Sequence, residues 1–160
     1  MTSQEERTFG VIYPIAKKFV PRILDDGRLV FAKYQPHRIQ RTRLGEGSIV
    51  VFYQTKGSKK LVGEAIIKSV DFMVPAQALR RFGSQLFLNR PELERYSKKF
   101  PGREDKPMMI FQLGSPKRYD EPITWSLSMT MAGRYITKEQ YEQSRLHLTR
   151  PHRRCSRRDE

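Results

Sequence analysis

The stretch Gly47 to Val70, GSIVVFYQTKGSKKLVGEAIIKSV, constrains the fold of this chain more than any other. Its two apolar runs flank the cationic turn TKGSKK and read as the arms of an antiparallel hairpin. Gly47 to Gln54 is nearly continuous in apolar residues, so both faces of that strand need cover. In the returning arm, Leu61 to Val70, strict alternation puts Glu64 in a row with Val62, Ile66 and Val70. A carboxylate in such a row costs free energy unless a cation or several donors meet it. The hairpin therefore predicts a sheet with covered faces and one acid that must find a partner elsewhere in the fold.

Around the hairpin, Thr8 to Tyr13 reads as a first strand. Pro14 is placed to open a helix carrying Ile15, Phe19 and Ile23 on one face, with Pro21 bending or splitting it. Arg28 to Lys33 resumes as strand, and YQPHRIQRTRLGEG is a loop. Pro75 to Arg81 and Pro91 to Phe100 read as helices, the second with Asn89 as its N-cap. Met108 to Leu113 is a strand, GSPKRYDEP a long turn, and Ile123 to about Met129 a further strand. Thr137 with Gln140 forms a capping box for a last helix through about Leu146. Strands that outnumber helices without alternating with them exclude a doubly wound sheet. The expected fold is α+β, a small, partly open barrel of about six strands with peripheral helices, one domain over 1–148. Residues 149–160 are expected to be a basic, disordered tail with too little apolar surface to offset chain entropy.

Charge narrows the function. Thirty-one Lys and Arg against seventeen Asp and Glu give a net +14. Ser144 to Glu160 holds six Arg and two acids, or +4, so residues 1–143 still carry +10. Such an excess is the footprint of a polyanion binder. No apolar run approaches the roughly 20 residues that span a bilayer, and MTSQEERTF lacks a signal-peptide core, so no membrane partner and a cytoplasmic location are expected. Cys155 is the single cysteine, which precludes an internal disulfide. With His147 and His152 it falls short of a closed four-ligand zinc site, so neither a metal nor another cofactor is expected.

The cations are grouped. Arg28 to Arg43 carries Arg28, Lys33, Arg38, Arg41 and Arg43 with His37 and no acid, interleaved with Phe31, Tyr34 and Ile39. Guanidinium groups that grip phosphates beside a ring that stacks on a base suit single-stranded or distorted RNA; a solvated loop with Tyr34 in the core is the alternative. Lys56, Lys59 and Lys60 at the hairpin tip suit sequence-independent phosphate contacts, and Arg80 with Arg81 extends the basic set. Each of these groups also reads as an ordinary exposed surface. Trp125, in ITWSLSMT, is either core or the wall of a base pocket.

The order VIYPIAKKFVPRIL, RLVFAK, GSIVVFYQTKGSKKLVGEAIIKSV and KRYDEPI resembles an archaeal domain-of-unknown-function family of the PUA-like superfamily, which also holds the ASCH and EVE domains. The resemblance covers roughly residues 9 to 136, and its most specific parts are the paired strands and Tyr119, Asp120 and Pro122. It implies a mixed pseudo-barrel with a cleft between the first helix, the following strand and the hairpin. It also implies RNA binding or the reading of a modified base, or, by analogy with some ASCH proteins, hydrolysis of an acetylated nucleoside. Lys33 then becomes the nearest partner for Glu64. Three roles stay open for that acid: fixing the cleft by pairing with Lys33 or an Arg, accepting a base amino group, or acting as general base with Lys33 polarising a carbonyl. The hydrolytic pattern wants Thr or Ser three residues after the lysine, where this chain has Pro36; Thr42 is the substitute hydroxyl. The combined reading is an RNA-binding module in a tRNA or rRNA context. Its base pocket would be formed by Tyr34, Glu64 and Trp125 near Lys33. The alternatives are a small ASCH-like amidohydrolase or a structural ribosome-associated protein.

Overall fold

The computed structural model of the chain describes residues 8–34, 42–56, 59–99, 105–125, 129–130 and 132–146. Its strands are β1 (Gly10–Ile15), β2 (Val30–Lys33), β3 (Ile49–Gln54), β4 (Lys60–Met73), β5 (Met108–Thr124) and β6 (Arg134–Ile136). They form one sheet in the order β2-β5-β4-β3-β1-β6. Only β1 and β3 run parallel; the other neighbours are antiparallel. The helices are α1 (Val20–Leu24), α2 (Pro75–Phe82), α3 (Arg90–Lys98) and α4 (Lys138–Leu146). The architecture is thus α+β, a mixed sheet that does not close, with β2 and β6 at its two edges.

The hairpin is present as β3 and β4, and both faces of β3 are covered as its composition requires. Val50 and Phe52 enter a large core, while Val51 enters a smaller one on the other face. Phe31 is the hub of the large core: its ring meets those of Tyr13, Phe52, Phe87 and Phe111, the closest being Phe87 at 4.8 Å. Ile12, Leu61, Tyr119, Ile123 and Ile136 fill the small core with Val51.

Three sequence expectations are corrected here. Pro14 lies inside β1 rather than opening a helix. The carbonyls of Phe9 and Ile15 accept from Ile49 of β3 and from Thr55 just after it, so the nitrogen of Pro14 faces the other side, where pairing with β6 has already ended at Ile12. The helix starts later, after a 3-10 turn at Lys17–Phe19, and Pro21 sits in its first turn, where a missing N–H is harmless. GSPKRYDEP is strand, not turn: β5 runs unbroken for 17 residues against the 14-residue β4. Tyr119 and Ile123 hold that second half by inserting into the small core. β6 was not expected at all, because its three residues carry one buried side chain, Ile136.

Strict alternation also fails along β4. The register with β5 shifts between Leu61 and Gly63, between Glu64 and Ile66, and between Ile67 and Ser69. Such bulges re-aim side chains. Val62 joins the large core, whereas Glu64 lies opposite Val51 and reaches residues of the small one. The N-cap expected at Asn89 and the capping box expected at Thr137 are both formed, and Asn89 proves to head a capping box as well. Asn89 Oδ1 accepts from Glu92 N and Glu92 Oε1 from Asn89 N, each at 3.0 Å. Thr137 Oγ1 accepts from Gln140 N at 3.2 Å while Gln140 Oε1 accepts from Thr137 N at 3.0 Å.

Candidate functional site

The end of β1, the 3-10 turn, β2, the start of the hairpin turn and α3 enclose a cavity of about 340 Å³. That is the small end of ligand-pocket sizes, suited to one nucleoside-sized group. Its walls are apolar and aromatic, with Phe19, Phe31, Phe87 and Tyr96 contributing rings. The polar groups reaching it are Lys18, Lys33, Thr55, Glu92 and Arg95. The sheet supplies Lys33 from the last position of β2, opposite Met109 of β5. The Lys33 Nζ stands 5.1 Å from the centroid of the Tyr13 ring. Among the described residues no carboxylate forms an ion pair with it. Burial lowers its pKa to about 8.

Glu92 is the acid of this cavity. Its capping role places it at the N-terminus of α3, and there Arg22 also donates to Oε1 while Lys18 Nζ lies 3.7 Å from Oε2. Burial by itself would raise its pKa. The Arg22 hydrogen bond, the Asn89 backbone and the charges of Arg22 and Lys18 outweigh that and hold it below the usual carboxylate range. Thr55 turns its hydroxyl toward the Ile15 carbonyl at 3.5 Å, a weak contact that leaves the oxygen available. The Tyr96 hydroxyl accepts from the Tyr34 backbone N–H at 3.3 Å and so ties α3 to the end of β2.

The candidate residues divide accordingly. Lys33 is in the cavity; Tyr34 is buried in the large core with its ring 5.2 Å from that of Tyr96. Arg28 is half-buried beyond α1, Arg43 is exposed, and Arg38 and Arg41 lie outside the described residues, as does His37. Lys56 and Lys59 are exposed at the hairpin tip, and Lys60 begins β4 opposite Thr124. Arg80 and Arg81 are exposed on α2, Arg81 facing Asp71 at 4.0 Å. Thr42 caps a local turn, its Oγ1 accepting from Leu44 N at 3.2 Å, and does not line the cavity. Trp125 packs against the small core.

The expected pairing of Glu64 with Lys33 is corrected, and the arginine alternative is realised. Glu64 accepts from the Tyr141 hydroxyl at 2.8 Å on both oxygens and from Arg145 at 3.0 Å. The Arg145 guanidinium also stands 5.1 Å from the Tyr119 ring and 5.7 Å from that of Tyr141. Glu64 thus clamps α4 onto the small core. The grouping of Tyr34, Glu64 and Trp125 around Lys33 does not form. The cavity instead recruits Phe19, Phe87, Glu92, Arg95, Tyr96 and Thr55. Glu92 is missed by a sequence reading that stops at Asn89, although the Asn-x-x-Glu spacing of a capping box could have marked it; nothing local could show that its further partners, Lys18 and Arg22, come from the 3-10 turn and α1.

Lys33 yields a stability prediction. Its folded-state pKa lies below its ordinary 10.5, so between about 8 and 10.5 the unfolded chain holds a proton that the folded chain has released. Stability then rises with pH across that window. Lys33→Met is expected to raise the thermal midpoint at pH 7 by about 5 °C, and the advantage should shrink toward zero near pH 10.5. An equal shift at both pH values would show that Lys33 carries no burial penalty.

Among the described residues no cluster of three or more His, Cys, Asp or Glu could hold a metal. No helix among them is long and apolar enough to cross a membrane.

Residues 8–138 match the family described as Domain of unknown function (DUF365). Similar solved structures include ASCH from Zymomonas mobilis, with TM-score 0.70 at 15% identity, covering 88% of this chain and 95% of that one. A mutant form of the same protein gives TM-score 0.72 at 14% identity, with 89% and 98% covered. The N-terminal domain of Staphylothermus marinus McrB gives 0.57 at 15% identity, with 91% and 98% covered. At such identities the likeness establishes the fold, which is PUA-like and ASCH-like. No curated protein sequence matches the chain.

Proposed function

We propose that this chain, which belongs to the DUF365 family, is a nucleic-acid-binding module that admits one unstacked base beside Lys33, with RNA as its partner. The observation that carries the reading is the aromatic cavity of about 340 Å³ that Lys33 enters without an ion-pair partner among the described carboxylates, with further cations around it. A ring-lined slot accepts a base by stacking, and surrounding lysines and arginines hold the flanking phosphates. Lys18 and Arg95 reach the cavity itself, and Lys56 follows Thr55 at its edge. The net charge of +14 supplies the long-range attraction. In this reading Arg38, Arg41, Arg43, Lys59 and Lys60 grip the backbone, with Arg28, Arg80 and Arg81 widening the surface. The tRNA or rRNA context belongs to the same proposal.

Equilibrium binding to short single-stranded RNAs of varied sequence tests it. The Arg38/Arg41/Arg43 triple alanine should weaken all sequences alike and flatten the salt dependence by about 2 units of slope, at roughly 0.7 per lost phosphate contact. Lys33→Met should leave that slope nearly unchanged and erase differences between bases. Binding that ignores salt, or a triple variant that binds like the parent, would overturn the reading.

One observation favours a second reading, a small hydrolase of a modified nucleoside. Thr55 and Glu92 line the same cavity as Lys33, supplying the hydroxyl and the acid that Thr42 and Glu64 do not. Release of acid from an acylated nucleoside, abolished by Thr55→Val, would decide for it.

A further inference from the structure

We propose that Lys33 is a covalent capture residue whose side-chain amine condenses with an aldehyde presented at the base position of the cavity, the aldehyde being the opened sugar of an abasic nucleotide. The inference rests on the base-binding reading above.

Three features of the cavity lead to it. First, Lys33 lines an apolar, ring-lined cavity and is only partly exposed. Second, none of the described carboxylates forms an ion pair with it, unlike Arg22, Lys18 and Arg145, which all hold acids. An unpaired, partly desolvated ammonium gives up its proton more readily than a salt-bridged one, and the free amine is the nucleophile. Third, the acid present in the cavity is already committed to Arg22 and to the α3 cap, so it does not hold the Lys33 proton in place. The pKa of about 8 agrees with this arrangement.

The ligand follows from the space. A nucleotide entering with its base fills the slot and stacks. When the base is missing, the slot is vacant and the open-chain sugar can extend its C1′ aldehyde toward Lys33 while the flanking phosphates stay on the cationic rim. The nitrogen lone pair adds to the aldehyde carbon, and the carbonyl electrons move to oxygen. Transfer of a proton from nitrogen to that oxygen gives a carbinolamine. Loss of water then leaves the imine, so the step needs no oxidant or reductant and reverses on hydration. The charged and titratable groups that face the amine are Tyr13 from β1, Lys18 from the 3-10 turn, and Glu92, Arg95 and Tyr96 from α3.

The experiment incubates the full chain with a single-stranded RNA carrying one abasic site, adds sodium cyanoborohydride to reduce any imine, and locates the adduct by peptide mass spectrometry. The expected result is one adduct on Lys33, reduced at least 10-fold in Lys33→Arg and unchanged in Lys68→Arg, a change at an exposed lysine of β4 that does not line the cavity. Its rate should rise from pH 6.5 to 8.5. A tetrahydrofuran analogue of the abasic site, which has no aldehyde, should bind without linking. Adduct spread over many lysines, or none on Lys33 while intact RNA still binds, overturns the capture proposal and leaves the base-binding reading standing. Capture of free glycolaldehyde at Lys33 with no binding of any RNA overturns the nucleic-acid source and the base-binding reading together. Retention of the adduct in a folded Lys33→Arg protein also overturns the assignment.

Discussion

Gly63→Ala is expected to destabilise the protein by about 3 kcal/mol or more, the upper end of the cost of forcing a methyl into a packed site. A Cβ at this position would overlap Leu24 Cδ1 and stand 2.7 Å from the Lys117 carbonyl oxygen. The leucine belongs to the large core and is held by α1, and the carbonyl belongs to the backbone of β5, to which Gly63 is paired through Arg118. Neither can retreat cheaply, because moving β5 disturbs the longest ladder in the sheet. Urea unfolding should show a lower midpoint with an unchanged slope. Combining the variant with Leu24→Ala should cost less than the sum of the two single changes, since one of the clashes is then removed. A Gly63→Ala midpoint within experimental scatter of the parent would mean that β4 and β5 approach less closely than described.

Glu64→Ala should cost about 3 kcal/mol, as expected when one partner of a largely buried ion pair is deleted. The acid is 8% exposed and its hydrogen bonds go to Tyr141 and Arg145. Deletion strands the tyrosine hydroxyl and leaves a guanidinium against two rings without its counter-charge. The damage should be local: hydrogen exchange in α4 should accelerate, while exchange in β3 and β5 changes less. Glu64→Gln keeps an acceptor for Tyr141 and should recover about half of the loss. Affinity of the cavity for RNA should be unaffected in either variant that remains folded, because Glu64 does not line it. Loss of base selectivity on Glu64→Gln would return this acid to the binding site. The tyrosines of this cluster, with Tyr13 of the large core, set an alkaline limit. Burial, followed by the Glu64 hydrogen bond, pushes the Tyr141 pKa from 10.0 to about 12, and burial raises those of Tyr13 and Tyr119 further. Above pH 10 the unfolded chain ionises first, so stability falls as pH rises toward 12.

The two neighbours show how differently a sequence exposes its structure. Gly63 gives no signal, since its need for a bare Cα comes from Leu24 and Lys117, far away in the chain. Glu64 announces a partner without naming it. Lys33 was the nearest candidate by resemblance, yet the register shift between Leu61 and Gly63 puts the acid on the opposite face from Val62, where it meets α4 instead. Likewise Asn89 and Thr137 were legible as caps because a capping box closes within four residues. The strand in GSPKRYDEP was not legible, because Gly and Pro read locally as turn while pairing with β4 and insertion of Tyr119 and Ile123 overrule them.

By itself, then, the chain's sequence determined the hairpin, its two covered faces, the α+β class, the caps and the cationic excess. All of these arise from periodicity, composition or contacts within a few residues. Only the tertiary structure decided which acid meets which base, where β5 ends and which side chains share a cavity. Lys33 comes from β2, Thr55 from the hairpin, Glu92 and Tyr96 from α3, and Arg22, which holds Glu92, lies 70 residues away from it. Their meeting depends on strand order and bulge positions, which are settled by packing of the whole sheet, and no local pattern encodes them.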